Sequence, residues 1–162
     1  MNPGAVASPG ASPGALHRLH FELSGDPDDV MPRVESIEEF LLGVGCAPAA
    51  AQQVAIVAEE ILTNIVRDAW GGGDPGHCAV DVLATPADNA IAVSLRTEDD
   101  GVAFDPTQAE EPDLDASLED REIGGLGIVL IRNMTDTQTY RRVDGRNVFE
   151  ITKSCARAET GA

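Results

Sequence analysis

The chain has 162 residues, enough for one domain, since a fold of about this size buries roughly 68–70% of the surface that its unfolded chain exposes. Its net charge of −17 and its single lysine, Lys153, exclude nucleic acid as a partner, because phosphate backbones are held by clustered Lys and Arg. No stretch offers the ~20 apolar residues of a membrane span and no basic start precedes a hydrophobic run, so a soluble, cytoplasmic protein without a signal peptide or membrane partner is expected.

Residues 1–15, MNPGAVASPGASPGA, hold no charge and no apolar run. They cannot offset their ordering entropy and are expected to be a disordered tail before a domain over 16–153, with a C-terminal tail over 154–162. Leu16 to Leu23 alternate loosely, with Leu19, Phe21 and Leu23 on one face of a short strand. Asp26 with Pro27 behind it makes an N-cap and first turn, and Val30, Val34, Ile37, Leu41 and Val44 then recur at helical spacing up to Gly43 or Gly45. A second helix is predicted over Ala49 to Trp70, its apolar stripe running from Val54 through Ile61 and Leu62 to Ala69, and Gly71 to Gly73 end it.

His77 to Thr85 and Ala90 to Thr97 are β-rich runs joined by Pro86 to Asn89, a hairpin. Eleven acidic residues then crowd between Glu98 and Glu122, as in a solvated loop. Leu126 to Met134 reads as a third helix, and TQTYRRV and RNVFEITK flank Asp144-Gly145 as a second hairpin. This order predicts an α+β, two-layer α/β sandwich with a mostly antiparallel, mixed sheet and helices on one face.

Cys46, Cys78 and Cys155 are odd in number and lack metal-ligand spacing, so reduced thiols are expected. His17 and His20 lie three apart on a strand and point to opposite faces, a poor metal pair.

The chemistry gathers in three places. Glu60, Asn64 and Asp68 stack at i, i+4 and i+8 along one edge of the second helix's apolar stripe. Alone this is also the ordinary polar border of an amphipathic helix, yet amide and carboxylate oxygens suit Mg²⁺ beside phosphate. Asp99 and Gly101 close a strand: the carboxylate can accept a hydrogen bond from an exocyclic amine, and the glycine lets the chain pass close to a flat base, although an Asp-x-Gly turn needs no ligand. Gly124, Gly125 and Gly127 open a helix, where backbone amides can approach phosphate or form a plain loop. In so acidic a chain, a triphosphate requires a divalent cation for charge balance.

Together these stretches resemble the ATP-binding fold shared by gyrase, Hsp-type chaperones, sensor histidine kinases and mismatch-repair ATPases, and within it the anti-sigma factor serine/threonine kinases. The resemblance covers nearly all of residues 16–153. EILTNIVRDAW is similar to the family's Glu-Ala-x-x-Asn-Ala-x-x-His-Ala-Tyr box, which implies Glu60 as general base and Asn64 as Mg²⁺ ligand. Asp99-Asp100-Gly101 with Phe104-Asp105-Pro106 resembles the adenine box, and Gly125-Leu126-Gly127-Ile128 the second glycine box. By the same resemblance Asp68, Phe104, Gly124 and Thr152 join the nucleotide-binding set, and Pro106 to Ile123 form the mobile ATP lid. Asp68 stands where many relatives carry His, Ile61 and Ile65 replace Ala, and Ala103 stands where the wider superfamily has a second Gly.

The resemblance implies ATP and Mg²⁺ as cofactors, a small anti-anti-sigma domain as substrate, a sigma factor as alternative partner, and a homodimer. The rival reading is a non-catalytic ATP-binding module that shapes a partner surface. A sensor histidine kinase lacks room for its phospho-acceptor helices, and no GxxxxGK[ST] marks a P-loop.

Overall fold

The structure, a computed structural model, describes residues 14–110, 115 and 125–161. The expected N-terminal tail up to residue 13, Gly124 and most of the expected lid lie outside the described residues. The elements run in chain order β1 (His17–Glu22), α1 (Val30–Gly43), α2 (Pro48–Asp68), β2 (Cys78–Pro86), β3 (Ala90–Asp99), α3 (Gly125–Met134), β4 (Thr137–Val143) and β5 (Arg146–Ala156). Short 3₁₀ turns cover Pro27–Asp29, capped by the Asp26 carboxylate on the Asp28 amide, and Pro106–Gln108.

The five strands form one sheet in the order β1-β2-β3-β5-β4, and every ladder is antiparallel, so the sheet has no parallel pair among the described residues. Alternation assigns its faces. Cys78, Val80, Val82 and Ala84 of β2 and Ile91, Val93 and Leu95 of β3 are buried on one side, together with Phe149, Ile151 and Cys155 of β5. Against this face pack Val34, Ile37 and Leu41 of α1 and Val54, Val57, Ala58, Ile61 and Leu62 of α2. The result is the α+β two-layer sandwich with helices on one face.

The turns follow their residues. Asp144 and Gly145 have φ of 49° and 75°, the left-handed pair that a two-residue hairpin turn needs to match strand twist. β5 extends past the expected domain end: Ser154, Cys155 and Ala156 continue the ladder with β3, and Cys155 is fully buried. The tail therefore begins later than residue 154, because a strand opposite Ile91 and Ala90 still has backbone partners there. Cys46, Cys78 and Cys155 are all free thiols inside the core. No described helix is long and apolar enough to cross a membrane.

Leu62 is fully buried near the centre of the helix layer. Leu62→Ala is expected to cost about 2–5 kcal/mol, because the sheet beneath it cannot collapse into the space left. Urea unfolding followed by circular dichroism measures this directly, and a loss under ~1 kcal/mol would contradict such rigid packing.

Candidate active site

The inward-facing rows of β3 and β5 outrun the helices that cover them. Where apolar cover ends, the row of β3 turns from Leu95 to Thr97 and Asp99, and that of β5 runs Ile151, Phe149, Asn147. A cavity of about 500 Å³ opens there. Ile61 and Ile65 of α2, Ile128 and Ile131 of α3 and Phe149 form its apolar lining, while Asn64, Asp68, Thr97, Asp99 and Asn147 supply polar groups. Val102 to Phe104 and Pro106 to Glu110 edge it on the loop side, apart from Asp105, Thr107 and Gln108.

The Asp99 carboxylate is 5% exposed. Its Oδ1 accepts from the Gly101 amide at 2.9 Å and from Asn147 Nδ2 at 3.0 Å. No described residue donates to Oδ2, so one carboxylate oxygen remains free for a donor from the cavity. Next to it, Asp100 Oδ1 accepts from Trp70 Nε1 and the His77 amide, both at 2.9 Å. The Trp70 indole holds the Asp100 carboxyl below the usual range, and the two bonds tie the end of α2 to the end of β3. The loop then passes so near α2 that a Cβ on Gly101 would strike the Ala69 carbonyl, the group that accepts from the Val102 amide at 2.8 Å. Glycine is required by that approach. Burial, with the Asp99 charge adding to it, pushes the nearby Cys78 thiol up to about 12, so it stays neutral.

On α2, Asn64 and Asp68 share the cavity edge with Arg67 between them. Arg67 binds both Asp68 oxygens, at 3.0 and 2.7 Å, and its Nη2 donates to Asn64 Oδ1 at 3.1 Å. The Asp68 carboxylate raises the Arg67 guanidinium above its ordinary range. Among the described residues no group of three His, Cys, Asp or Glu could hold a metal ion.

Glu60 does not line the cavity. Its carboxylate lies under the first turn of α3, where a Cβ on Gly127 would collide with it. The glycine thus lets the helix start close over the acid.

A histidine kinase-like ATPase domain profile matches residues 23–153. The chain belongs to this family. The serine/threonine-protein kinase BtrW of Bordetella bronchiseptica is 39% identical over 103 residues, covering 64% of this chain and 70% of BtrW. The serine-protein kinase RsbW of Listeria monocytogenes (strain HCC23) is 28% identical over 123 residues, covering 74% of this chain and 76% of that one. Among solved structures, the RsbU and RsbW domains of Rv1364c from Mycobacterium tuberculosis share the fold with a TM-score of 0.56 at 16% identity. The match covers 89% of this chain and 35% of that chain, so it spans about a third of the solved chain's length. The SiaB–SiaC complex from Pseudomonas aeruginosa gives a TM-score of 0.50 at 18% identity over 84% of this chain and 89% of that one.

For this histidine kinase-like ATPase domain, the sequence-based site residues divide into three groups. Asn64, Asp68, Asp99, Phe104 and Ile128 line one cavity, although α2, β3, the loop and α3 bring them from distant parts of the chain. Gly101, Gly127 and Glu60 do not line it, the two glycines permit close approach to Ala69 and to Glu60, and Gly125 begins α3. Leu126 is 55% exposed and does not line it.

Thr152 must be corrected. It stands opposite Ser94 and Thr137, hydrogen-bonded to the Thr137 hydroxyl, on the sheet face away from Phe149 and Asn147. It lies three positions from Phe149 and five from Asn147, odd offsets along the strand, so the pleat turns it to the other face. Thr97, Asn147 and Arg67 were missed as lining residues. Thr97 precedes Asp99 by two on a strand, and that spacing alone puts both on one face.

Proposed function

We propose that this ATPase-family domain is an ATP-dependent protein serine/threonine kinase that phosphorylates a small anti-anti-sigma domain protein, with a sigma factor as the competing partner. Support comes from one observation above the others: an unengaged Asp99 oxygen and the Asn64 amide line one cavity, and the Glu60 acid lies against Gly127 in the first turn of α3. The kinase names of BtrW and RsbW agree with it. So does the presence of a SiaB-like fold in a two-protein complex.

Bound Mg²⁺–ATP supplies the transferable phosphoryl group, with the cation offsetting its charge. Asp99 accepts a hydrogen bond from the base amino group, and the isoleucine-rich lining excludes water from its ring. Asn64 offers an amide oxygen to the cation once Arg67 releases it. That release breaks one exposed hydrogen bond, a net cost of about 0.5–1.5 kcal/mol, and the Arg67–Asp68 pair can persist. Glu60 takes the proton of the acceptor Ser or Thr hydroxyl. Phosphorylation adds about −1.5 to −2 charges to the acceptor, enough to open an interface against so acidic a protein.

The decisive experiment incubates the chain with labelled ATP, Mg²⁺ and candidate anti-anti-sigma domains, and looks for phosphate on Ser or Thr. ATP-dependent capture of a partner that never acquires phosphate supports the non-catalytic module instead. The engagement of Asn64 by Arg67 and the replacement of the family's His by Asp68 favour that second reading.

A further inference from the structure

Asn147 makes five hydrogen bonds from a position only 6% exposed. Its Oδ1 accepts from the Tyr140 hydroxyl at 2.7 Å, Arg142 Nη1 at 2.9 Å and the Phe104 amide at 3.3 Å. Its Nδ2 donates to Asp99 Oδ1 at 3.0 Å and to the Val102 carbonyl at 2.8 Å. Two obligate donors on one atom, Arg142 and the Phe104 amide, fix the amide orientation, because a flip would set an NH₂ against both. The NH₂ end must therefore face Asp99.

We propose that Asn147 is the positioning residue that makes this cavity select a base with an exocyclic amino group. It saturates Asp99 Oδ1 jointly with the Gly101 amide, leaving Oδ2 as an acceptor that only a ligand donor satisfies. The same side chain ties down the Val102 to Phe104 loop on the cavity edge through two of its bonds, and Arg142 adds a third through the Gly101 carbonyl. A 6-amino purine completes this set; a 6-oxo purine presents an acceptor to an acceptor. Without Asn147 the carboxylate can rotate and the loop loses two anchors, so the preference fades along with affinity.

This inference rests on the ATP reading, and equilibrium binding of ATP against inosine triphosphate, both with Mg²⁺, tests the two separately. The pair differs only in the 6-substituent and in the N1 proton that accompanies the 6-oxo group. Wild-type protein is expected to prefer ATP by ~10-fold or more, the scale set by a buried acceptor left unpaired. Asn147→Ala is expected to weaken ATP binding ~10-fold and bring the ratio to within ~3-fold of one, on the same scale. Tyr140→Phe removes one donor from Oδ1 and leaves both Nδ2 bonds, so its ratio stays at the wild-type value. Cooperative thermal unfolding verifies that each variant is folded, and Asn147→Val, which removes both amide groups yet suits a strand, takes the place of the alanine variant if that one does not fold. A folded Asn147 variant with the wild-type ratio overturns the role of Asn147 alone. A wild-type ratio near one with ATP still bound overturns this proposal and leaves the ATP reading standing, whereas no binding of ATP overturns both.

Discussion

Glu60→Gln protein is expected to bind ATP as tightly as the wild type and to transfer its phosphoryl group ~10²–10⁴-fold more slowly, the usual contribution of a general base. The split follows from where the side chain sits. Glu60 does not line the cavity and its carboxylate lies against Gly127, so nothing that lines the cavity is removed. Glutamine has the same shape and preserves the packing under α3, but its amide cannot accept the hydroxyl proton. Labelled-phosphate transfer to a partner domain and equilibrium nucleotide binding separate the two effects. Undiminished transfer would remove Glu60 from the chemistry.

Asp99→Asn should do the reverse and act on binding. The amide can keep its oxygen toward the Gly101 amide and Asn147 Nδ2, which preserves the fold, but an NH₂ then replaces the free carboxylate oxygen. A base amino group would meet a donor instead of an acceptor. Losing a charged hydrogen bond and leaving its partner unpaired amounts to roughly 3 kcal/mol, or ~10²-fold in affinity. Calorimetric titration with ATP measures this, while the melting temperature should move by only a few degrees. Wild-type affinity in the variant would show that Asp99 does not meet the base.

Local patterns carried much of the fold. Helical spacing in α1 and α2, the Asp144-Gly145 turn and the alternation in β2 and β3 are short-range signals, and each element stands within a few residues of its expected place. They also carried Asn64, Asp68 and Asp99, since i, i+4 spacing and the strand end put these on definite faces. Long-range register left no such signal. Asp99 pairs with Asn147 across β3 and β5, far apart in sequence, and no local pattern in RNVFEITK announces that partner. Thr152 failed for the same reason: its strand was recognised, but which pleat face meets the cavity depends on that register. Arg67 was hidden by its neighbours, because a basic residue beside an acid on a helix looks like any solvated pair.

The position of β5 between β3 and β4 has a consequence for synthesis on the ribosome. A nascent chain that has emerged through α3 already holds both long helices, three strands, Glu60, Asn64 and Asp99, yet it lacks Asn147 and the strand that walls the pocket. Antiparallel pairing of β5 with β3 closes a long loop and belongs to the slow, non-local class of folding events. The cavity is therefore complete only with the last of the described strands, and a nascent chain that has emerged only through α3 still lacks one of its walls.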